Sequence, residues 1–316
     1  MLIGNDDKVL VSVIIPAFNS ARFVSNAINS ILIQTYECIE LLLLNDGSND
    51  DTLNIFKSFN DKRIRIINSN VNTKKVGLVN DVLKQVKGKY IMFQDSDDTC
   101  SENRVEIMVN YLESNKNIGI CFSGYTINDI KLKNKWRLHH SDLLKEFLST
   151  DINDRFYSNT VYATAMFSSD LLIQVPGYSK RMQGKIGEDI EFFYSLCQFT
   201  EACTLPFALY NYNLNRIGSL THFNGLNRNV PNYDLNFVKA SIQIHKKTGK
   251  SPIRDFNDKE YLKFEYDFMR DYIEQIKREM IVLELTYQSS SYYKLGRFIL
   301  YPISYFFKWY RNIYVR

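Results

Sequence analysis

Short apolar runs alternate with stretches of helical spacing through the first third of the chain, and this alternation restricts the folds open to it. Val9 to Pro16 is a nearly unbroken β-branched run, as expected of a parallel strand covered on both faces. Further strands are predicted over Ile39 to Leu44, Ile64 to Ile67 and Tyr90 to Phe93. The pattern predicts an α/β fold, with an open, mostly parallel sheet flanked by helices.

Helices are predicted between these strands because apolar residues recur there at three- and four-residue spacing. The first helix follows the first strand, with Asn19 or Ser20 as its expected cap. The next two are predicted over Thr52 to Phe59 and Val76 to Val86. A helix in each connection allows neighbouring strands to run parallel.

Polar loops follow three of the predicted strands. They are Pro16-Ala17-Phe18-Asn19, Asp46-Gly47-Ser48 and Asp95-Ser96-Asp97. Ligands of open α/β sheets bind beyond the carboxyl ends of the strands. We therefore expect the three loops to converge on one crevice.

The third loop carries carboxylates at Asp95, Asp97 and Asp98. Side chains placed so closely repel one another, and their oxygens suit a hard divalent cation such as Mg²⁺ or Mn²⁺, which would hold the phosphates of a substrate. The alternative is a polar turn in which Asp97 or Asp98 caps a helix that begins near Ser101. The acidic run alone leaves both interpretations open.

With these segments in order, the chain resembles the family 2 glycosyltransferases of the GT-A fold. The matching segments are Val11 to Ser20, Ser30 to Tyr36, Asn45 to Thr52, Lys87 to Asp98, Pro176 to Tyr178 and Gly187 to Phe192. They cover roughly the first two thirds of the chain, and the last third matches only loosely. The resemblance implies a Rossmann-like open sheet of the GT-A type with a C-terminal helical extension.

The resemblance also implies roles for residues on the donor side. The backbone of Pro16, Ala17 and Phe18 would hold the base of a nucleoside diphosphate, and Asp46 would accept the imino hydrogen of uracil, which makes the implied donor a UDP-sugar. Asp97 would ligate Mn²⁺ or Mg²⁺ at the diphosphate. Asp95 would bind the ribose hydroxyls or take part in the metal site. The other candidates for donor binding are Asn19, Gly47, Lys74, Ser96 and Arg216.

Asp189 is the catalytic base that the resemblance implies. Family 2 enzymes are typically inverting, so one carboxylate deprotonates the acceptor hydroxyl, which then displaces UDP. Glu188 is the alternative base, or a ligand of acceptor hydroxyls. A structural interpretation competes, because carboxylates in the first turn of a helix complement its dipole.

Some positions depart from the family pattern. Val79 stands where many members carry an arginine that binds the donor, and Lys74 or Lys75 is the expected replacement. Asn213 and Asn215 stand in a segment that often contains Arg and His. Arg216 and His222 are the nearby residues that would close over the phosphates.

The sequence divides into a catalytic domain over residues 1–225 and a helical region over residues 226–316. Within the first, residues 1–100 form the predicted nucleotide-sugar half and residues 101–225 the acceptor half. In the second, Lys259 to Tyr287 is predicted to be a packing helix or an element of a homodimer.

The segment from Tyr292 to Arg316 combines apolar aromatic residues at helical spacing with several cations, and Pro302 is expected to kink it. Such a segment is predicted to lie on an anionic membrane surface. The alternative is that it docks on the catalytic domain or on a second copy of the chain.

Composition excludes several other classes. The five cysteines are scattered, which indicates neither a disulfide framework nor a zinc site, and a net charge of +4 is too mild to suggest nucleic acid. The chain opens without the pattern of a signal peptide and has no apolar stretch of spanning length. We expect a cytoplasmic protein, peripheral on the inner face of the cell membrane.

The resulting hypothesis is an inverting, metal-dependent glycosyltransferase that moves a sugar from a UDP-sugar to a saccharide acceptor. The resemblance suggests an acceptor linked to undecaprenyl diphosphate, in the synthesis of surface polysaccharide such as capsule or O-antigen. One alternative is a non-catalytic protein that binds nucleotide sugars or acts as a scaffold. A nucleotidyltransferase is a poorer alternative, since such enzymes usually carry a glycine-rich basic loop after the first strand, unlike Pro16 to Ser20.

Overall fold

A computed structural model of the chain describes residues 8–129, 134–138, 162–214 and 233–288. Two compact units are distinguished, over residues 1–255 and 256–316. The boundary predicted at residue 225 lies outside the described residues, and the helix Tyr233–Thr248 falls within the first unit. There Lys185 lies over the ring of Phe237, at 4.6 Å from its centroid.

The first unit contains one nine-stranded sheet within the described residues. Its strands are β1 (Val11–Ala17), β2 (Ile39–Asp46), β3 (Ile64–Ser69), β4 (Tyr90–Phe93), β5 (Thr99–Cys100), β6 (Ile118–Asp129), β7 (Asn134–Leu138), β8 (Met166–Ser168) and β9 (Glu201–Leu214). The four strands predicted from the sequence are all present, which confirms that part of the prediction.

The strand order is β3-β2-β1-β4-β8-β6-β9-β5, and β7 pairs with β6. The strands β3, β2, β1 and β4 run parallel, whereas β8 is antiparallel to both β4 and β6. Because β1 lies between β2 and β4, the chain leaves β1 on one side and later returns on the other. Open α/β sheets bind ligands at such a switch point, beyond the carboxyl ends of the strands.

Helices flank the sheet in the order expected. Those of the first unit are α1 (Val24–Leu32), α2 (Thr52–Ser58), α3 (Lys74–Leu83), α4 (Arg104–Ser114), α5 (Glu188–Leu196) and α6 (Tyr233–Thr248). Short 3₁₀ helices span Tyr162–Thr164, Ser169–Ile173 and Lys180–Met182. The second unit contributes α7 (Asp258–Gln288), which confirms the helix predicted over Lys259 to Tyr287.

Burial explains why the parallel strands are apolar without alternation. Val13, Ile14 and Ile15 of β1 are all fully buried, as are Leu41 to Leu44 of β2. A strand covered on both faces carries mostly apolar side chains on each, so its sequence loses the alternation of polar and apolar residues. Burying one such side chain contributes about 1.5–3 kcal/mol.

The predicted helix caps were wrong. α1 begins at Val24, where the carbonyl oxygen of Ser20 accepts the backbone N–H groups of Phe23 and Val24. α4 begins at Arg104, with Asn103 at its N-cap position, so the interpretation of Asp97 or Asp98 as its cap fails. The polar side chains near the strand ends are instead used in contacts between loops.

All five cysteines are free thiols, and Cys100 and Cys121 are buried. Among the described residues, no helix is both long enough and apolar enough to cross a membrane. The segment from Tyr292 to Arg316, predicted to lie on a membrane, falls outside the described residues.

An ion pair between Arg254 and the buried Glu191 connects the end of the first unit to α5. The guanidinium of Arg254 donates from Nε to Glu191 Oε1 and from Nη2 to Glu191 Oε2 (2.9 Å). Its other partners are Ser195 Oγ at 2.8 Å and the carbonyl oxygen of Gly177 at 3.1 Å. Burial raises the pKa of Glu191, and the positive charge of Arg254 opposes that shift. Arg254 therefore offsets the cost of burying the charged Glu191, and removing either partner alone should destabilise the folded protein.

We expect Arg254→Met to destabilise the protein by about 3–5 kcal/mol, because it leaves the Glu191 carboxylate buried without its partner. Chemical denaturation measures this change. Adding Glu191→Met should recover most of the loss, since two apolar side chains replace the pair. Lys84→Met, which removes an exposed pair with Asp81, is the control and should cost less than about 1 kcal/mol. A loss below about 1 kcal/mol for Arg254→Met would contradict this assignment.

Candidate functional site

The three polar loops predicted to converge are joined by hydrogen bonds. Asn19, whose φ is +51°, donates its backbone N–H to Ser48 Oγ at 3.0 Å, and its Oδ1 accepts the backbone N–H of Asn49 at 2.9 Å. The third loop joins through the hydroxyl groups of Ser20 and Ser96, which lie 2.8 Å apart. The loops after β1, β2 and β4 therefore form one polar edge of the sheet.

Asp46 is the last residue of β2, and its carboxylate is buried and fixed in orientation. Thr73 donates both its backbone N–H and its hydroxyl to Asp46 Oδ1, each at 2.8 Å. Gly47 follows with a φ of +71°, and a Cβ there would lie 2.5 Å from the backbone nitrogen of Asn72. Only glycine allows this close approach. Phe18, the first residue after β1, is 48% exposed and lies on the same edge.

The start of α3 holds the next donor-side candidate. Lys74 is exposed, has a φ of +61° and donates its backbone N–H to Asn72 Oδ1 at 2.9 Å. Val79, at the position where the family often has arginine, is fully buried in α3. Arg216, Asn215 and His222 lie outside the described residues.

Asp98 points into the protein rather than toward solvent, with 1% of its surface exposed. Tyr210 Oη donates to Asp98 Oδ2 at 2.9 Å, and the backbone N–H of Asn213 donates to Oδ1 at 2.8 Å. Burial raises the pKa of Asp98 well above its usual value, and the charges of Asp95 and Asp97 raise it further. Asp95 and Asp97 are partly exposed, so they are the members of the acidic run that a ligand can reach.

Two accessible carboxylates fit a divalent cation that takes its remaining ligands from a diphosphate and water. Magnesium in particular is usually bound by one or two carboxylates together with substrate phosphates. Within the described part of the chain, His, Cys, Asp and Glu side chains do not form a metal-binding group of three or more. Asp95 and Asp97 nevertheless lie close enough to Asp98 to raise its pKa, which indicates concentrated negative charge at this loop.

A fully buried arginine behind the acidic loop was missed from the sequence. Arg104 Nη1 donates to Gln94 Oε1 at 3.1 Å, its Nη2 donates to the carbonyl oxygen of Ala163, and its guanidinium lies 5.0 Å from the ring centroid of Tyr210. Burial raises the pKa of Tyr210, Asp95 and Asp98 add to that shift, and Arg104 opposes it. Arg104 thus places a buried positive charge beside Tyr210, the residue whose hydroxyl donates to Asp98.

Asp189 lies in the first turn of α5 and is partly exposed. Tyr178 Oη donates to Asp189 Oδ1 at 2.7 Å. Burial raises the pKa of Tyr178 well above its usual value, and the charges of Asp189, Glu188 and Asp95 raise it further. The ring of Tyr178 also lies edge-on to that of Phe93, the last residue of β4, with centroids 6.2 Å apart, so this tyrosine contacts both α5 and the end of β4.

Tyr178 was used in sequence reasoning only as a marker of the matching segment. A signal was available, because a buried tyrosine usually finds a hydrogen-bond partner for its hydroxyl. The site as a whole has carboxylates suited to a cation on one side and a separate carboxylate on the other. That arrangement can stabilise a phosphate leaving group and accept a proton from an attacking hydroxyl.

Comparisons with known proteins agree with this architecture. Residues 12–174 match the family described as Glycosyl transferase family 2. An uncharacterized glycosyltransferase of Haemophilus influenzae is 31% identical over 225 residues, which cover 65% of this chain and 65% of that protein. The Escherichia coli protein named UDP-Glc:alpha-D-GlcNAc-diphosphoundecaprenol beta-1,3-glucosyltransferase WfgD is 36% identical over 121 residues, covering 38% of this chain and 47% of that protein.

The fold is similar to that of the mannosyltransferase PcManGT from Pyrobaculum calidifontis, whose structure was determined in complex with GDP-Man and Mn²⁺. The TM-score is 0.58 at 16% identity, over 96% of this chain and 82% of the other, which confirms the expected GT-A architecture. The matched regions span less than two thirds of the length of the two curated relatives. The family match covers more than half of the chain. The chain therefore belongs to glycosyl transferase family 2.

Proposed function

We propose that the protein is an inverting, metal-dependent glycosyltransferase that transfers a sugar from a UDP-sugar to a saccharide linked to undecaprenyl diphosphate. The observation that carries the proposal is the placement of Asp46, the Asp95–Asp97 pair and Asp189 around one edge of the sheet. The relative WfgD, named for a UDP-Glc donor and a diphosphoundecaprenol acceptor, supports the substrate classes. Synthesis of surface polysaccharide is the corresponding biological setting.

On the donor side, Asp46 accepts the imino hydrogen of uracil. Thr73 occupies only Asp46 Oδ1 in its two hydrogen bonds, and an ionised carboxylate has further acceptor sites on both oxygens. The backbone of Pro16, Ala17 and Phe18 lines the base, with Asn19, Gly47 and Ser96 in the same loops. Lys74 and Arg216 supply positive charge at the diphosphate.

Asp97 and Asp95 would hold Mn²⁺ or Mg²⁺. Such an ion would supply Lewis-acid stabilisation of the negative charge that develops on the departing UDP. The structure of PcManGT in complex with GDP-Man and Mn²⁺ supports the presence of a cation in a protein with this fold. Asp98 stabilises the loop that carries both ligands, since Tyr210 and Asn213 occupy its oxygens.

Asp189 acts as the base. It takes the proton of the acceptor hydroxyl as that oxygen bonds to the anomeric carbon, and the bond between the anomeric carbon and the UDP oxygen breaks on the opposite face. The configuration at the anomeric carbon is inverted, and UDP leaves with the electron pair of the broken bond. Glu188 binds hydroxyl groups of the acceptor sugar.

A lipid-linked acceptor places the reaction at the cytoplasmic face of the cell membrane. The basic, aromatic segment from Tyr292 to Arg316 is the proposed contact with that surface, because its cations and apolar residues suit anionic headgroups. Assembly as a homodimer through α7 is the alternative use of the C-terminal region.

Asp46→Asn should weaken UDP binding by about tenfold or more, because it replaces a charged hydrogen-bond acceptor with a neutral amide. Isothermal titration with UDP and Mn²⁺ measures the loss. The affinity for CDP should change less, since cytosine has no imino hydrogen to donate. Asp81→Asn, at an exposed site on α3, is the matched control and should bind UDP as the unchanged protein does. Equal UDP affinity in Asp46→Asn would refute its role in binding the base.

Asp97→Ala should abolish the increase in UDP affinity that Mn²⁺ produces, because the ion loses one of its protein ligands. The transfer rate should fall with it. Titrations with UDP, with and without Mn²⁺, separate this effect from misfolding, which would also lower binding in the absence of the ion. A variant that keeps its full Mn²⁺-dependent increase would remove Asp97 from the metal site.

Asp189→Asn should lower transfer by about 10²–10⁴-fold while leaving UDP binding intact, since it removes the proton acceptor alone. The assay measures UDP release by the full chain with Mn²⁺, a panel of UDP-sugars beginning with UDP-glucose, and GlcNAc-diphosphoundecaprenol in detergent. Glu188→Gln is the comparison variant and should affect mainly the KM for the acceptor. Full transfer by Asp189→Asn would disprove its role as base.

A further inference from the structure

Tyr178 packs against the rings of two phenylalanines and is only 3% exposed. Its ring stacks on Phe192, with centroids 4.5 Å apart and an interplanar angle of 22°. The ring of Phe93, at the end of β4, lies edge-on at 6.2 Å. Phenylalanine would satisfy these contacts equally well. The hydroxyl therefore requires a separate explanation.

That hydroxyl makes one short hydrogen bond, to Asp189 Oδ1 at 2.7 Å. Asp189 and Phe192 are three residues apart on α5 and so lie on the same face of the helix. The hydroxyl of Tyr178 thus contacts Asp189 while its ring contacts Phe192. Burial and the surrounding carboxylates raise its pKa, so the hydroxyl keeps its proton and stays a donor at neutral pH.

The backbone of Tyr178 is fixed independently of its side chain. Asn80 on α3 accepts the N–H of Tyr178 at Oδ1 (2.8 Å) and donates from Nδ2 to its carbonyl oxygen (2.7 Å). The preceding Gly177 has a φ of +149°, and a Cβ there would lie 2.3 Å from Asn80 Oδ1. A side chain at that position would force the two segments apart.

We propose that Tyr178 is a positioning residue that fixes the rotamer of Asp189 and stabilises its ionised form, so that the carboxylate is ready to accept the proton of the acceptor hydroxyl. The inference rests on the proposed role of Asp189 as base. A hydrogen bond donated to a carboxylate favours the charged form.

Other charges around this pair must be considered in any test. Glu188 lies on the same helical turn, Asp95 lies at the end of β4, and Glu191 on α5 is paired with Arg254. Replacing the Tyr178 hydroxyl by hydrogen changes none of these groups. A change in titration can therefore be assigned to the lost hydrogen bond.

The experiment is ¹³C NMR of the full chain with labelled aspartate carboxyl groups, in which the Asp189 resonance is assigned from its absence in Asp189→Asn. In Tyr178→Phe, the Asp189 resonance should titrate about one pH unit higher, as expected for losing a hydrogen bond to a charged group. Asn80→Ala should move it in the same direction. Tyr36→Phe removes a similarly buried hydroxyl, bonded to the carbonyl oxygen of Val9, and should leave it unchanged.

In the transfer assay, Tyr178→Phe should reduce kcat by about tenfold with little change in the KM for the acceptor, and the acidic limb of its pH profile should move upward. An Asp189 resonance that titrates at the same pH in Tyr178→Phe and Asn80→Ala as in the unchanged protein would overturn the inference. The NMR measurement needs no sugar donor, so that result would leave the proposed function intact. Full transfer by Asp189→Asn would instead overturn both the base assignment and this role.

Discussion

The hydrogen bonds that Asp98 accepts from Tyr210 and Asn213 are the interaction on which the rest of the site depends. Burying a carboxylate is costly unless its oxygens are satisfied, and here one β9 hydroxyl and one β9 backbone N–H satisfy them. The side-chain amide of Asn213 also donates to the carbonyl oxygen of Asp97 at 3.0 Å. With Asp98 directed inward, the loop keeps Asp95 and Asp97 at the surface. The guanidinium of Arg104 lies 5.0 Å from the ring centroid of Tyr210 and opposes the rise in the pKa of that tyrosine.

The helix α3 and the residue before it connect the end of β2 to the segment that precedes α5. Thr73, just before its first turn, donates to Asp46, and the carbonyl oxygen of Thr73 accepts the side-chain amide of Gln183 at 2.7 Å. Further along the helix, Asn80 binds the backbone of Tyr178. The helix α3 and the residue before it therefore contact Asp46, the segment before α5 and Tyr178, which lies next to Asp189. This sharing explains how groups far apart in sequence are held in one geometry.

The sequence was sufficient for the strands and loops of the first third because their signals are local. An unbroken apolar run followed by Asp-Gly or Asp-Ser-Asp needs no knowledge of distant residues to be read as a buried strand and a polar strand end. The contacts that fix the site instead join residues far apart in the sequence. Asn80 and Tyr178 are separated by 98 positions, and Asp98 and Tyr210 by 112, so neither pairing leaves a local pattern. Contacts between distant residues also explain why the cap predictions were wrong, since Asn19 forms hydrogen bonds with Ser48 and Asn49 in the loop after β2. The Arg104 side chain resembled an ordinary exposed helical cation, and only the fold reveals its burial.

The hydrogen bonds between Asn80 and Tyr178 have a consequence for substitutions at residue 178. Both hydrogen bonds involve main-chain atoms of residue 178, so they do not depend on which aromatic side chain that residue bears. A tyrosine and a phenylalanine can be exchanged there with the scaffold unaltered. Such an exchange would remove only the hydroxyl next to Asp189, while both main-chain hydrogen bonds to Asn80 remain.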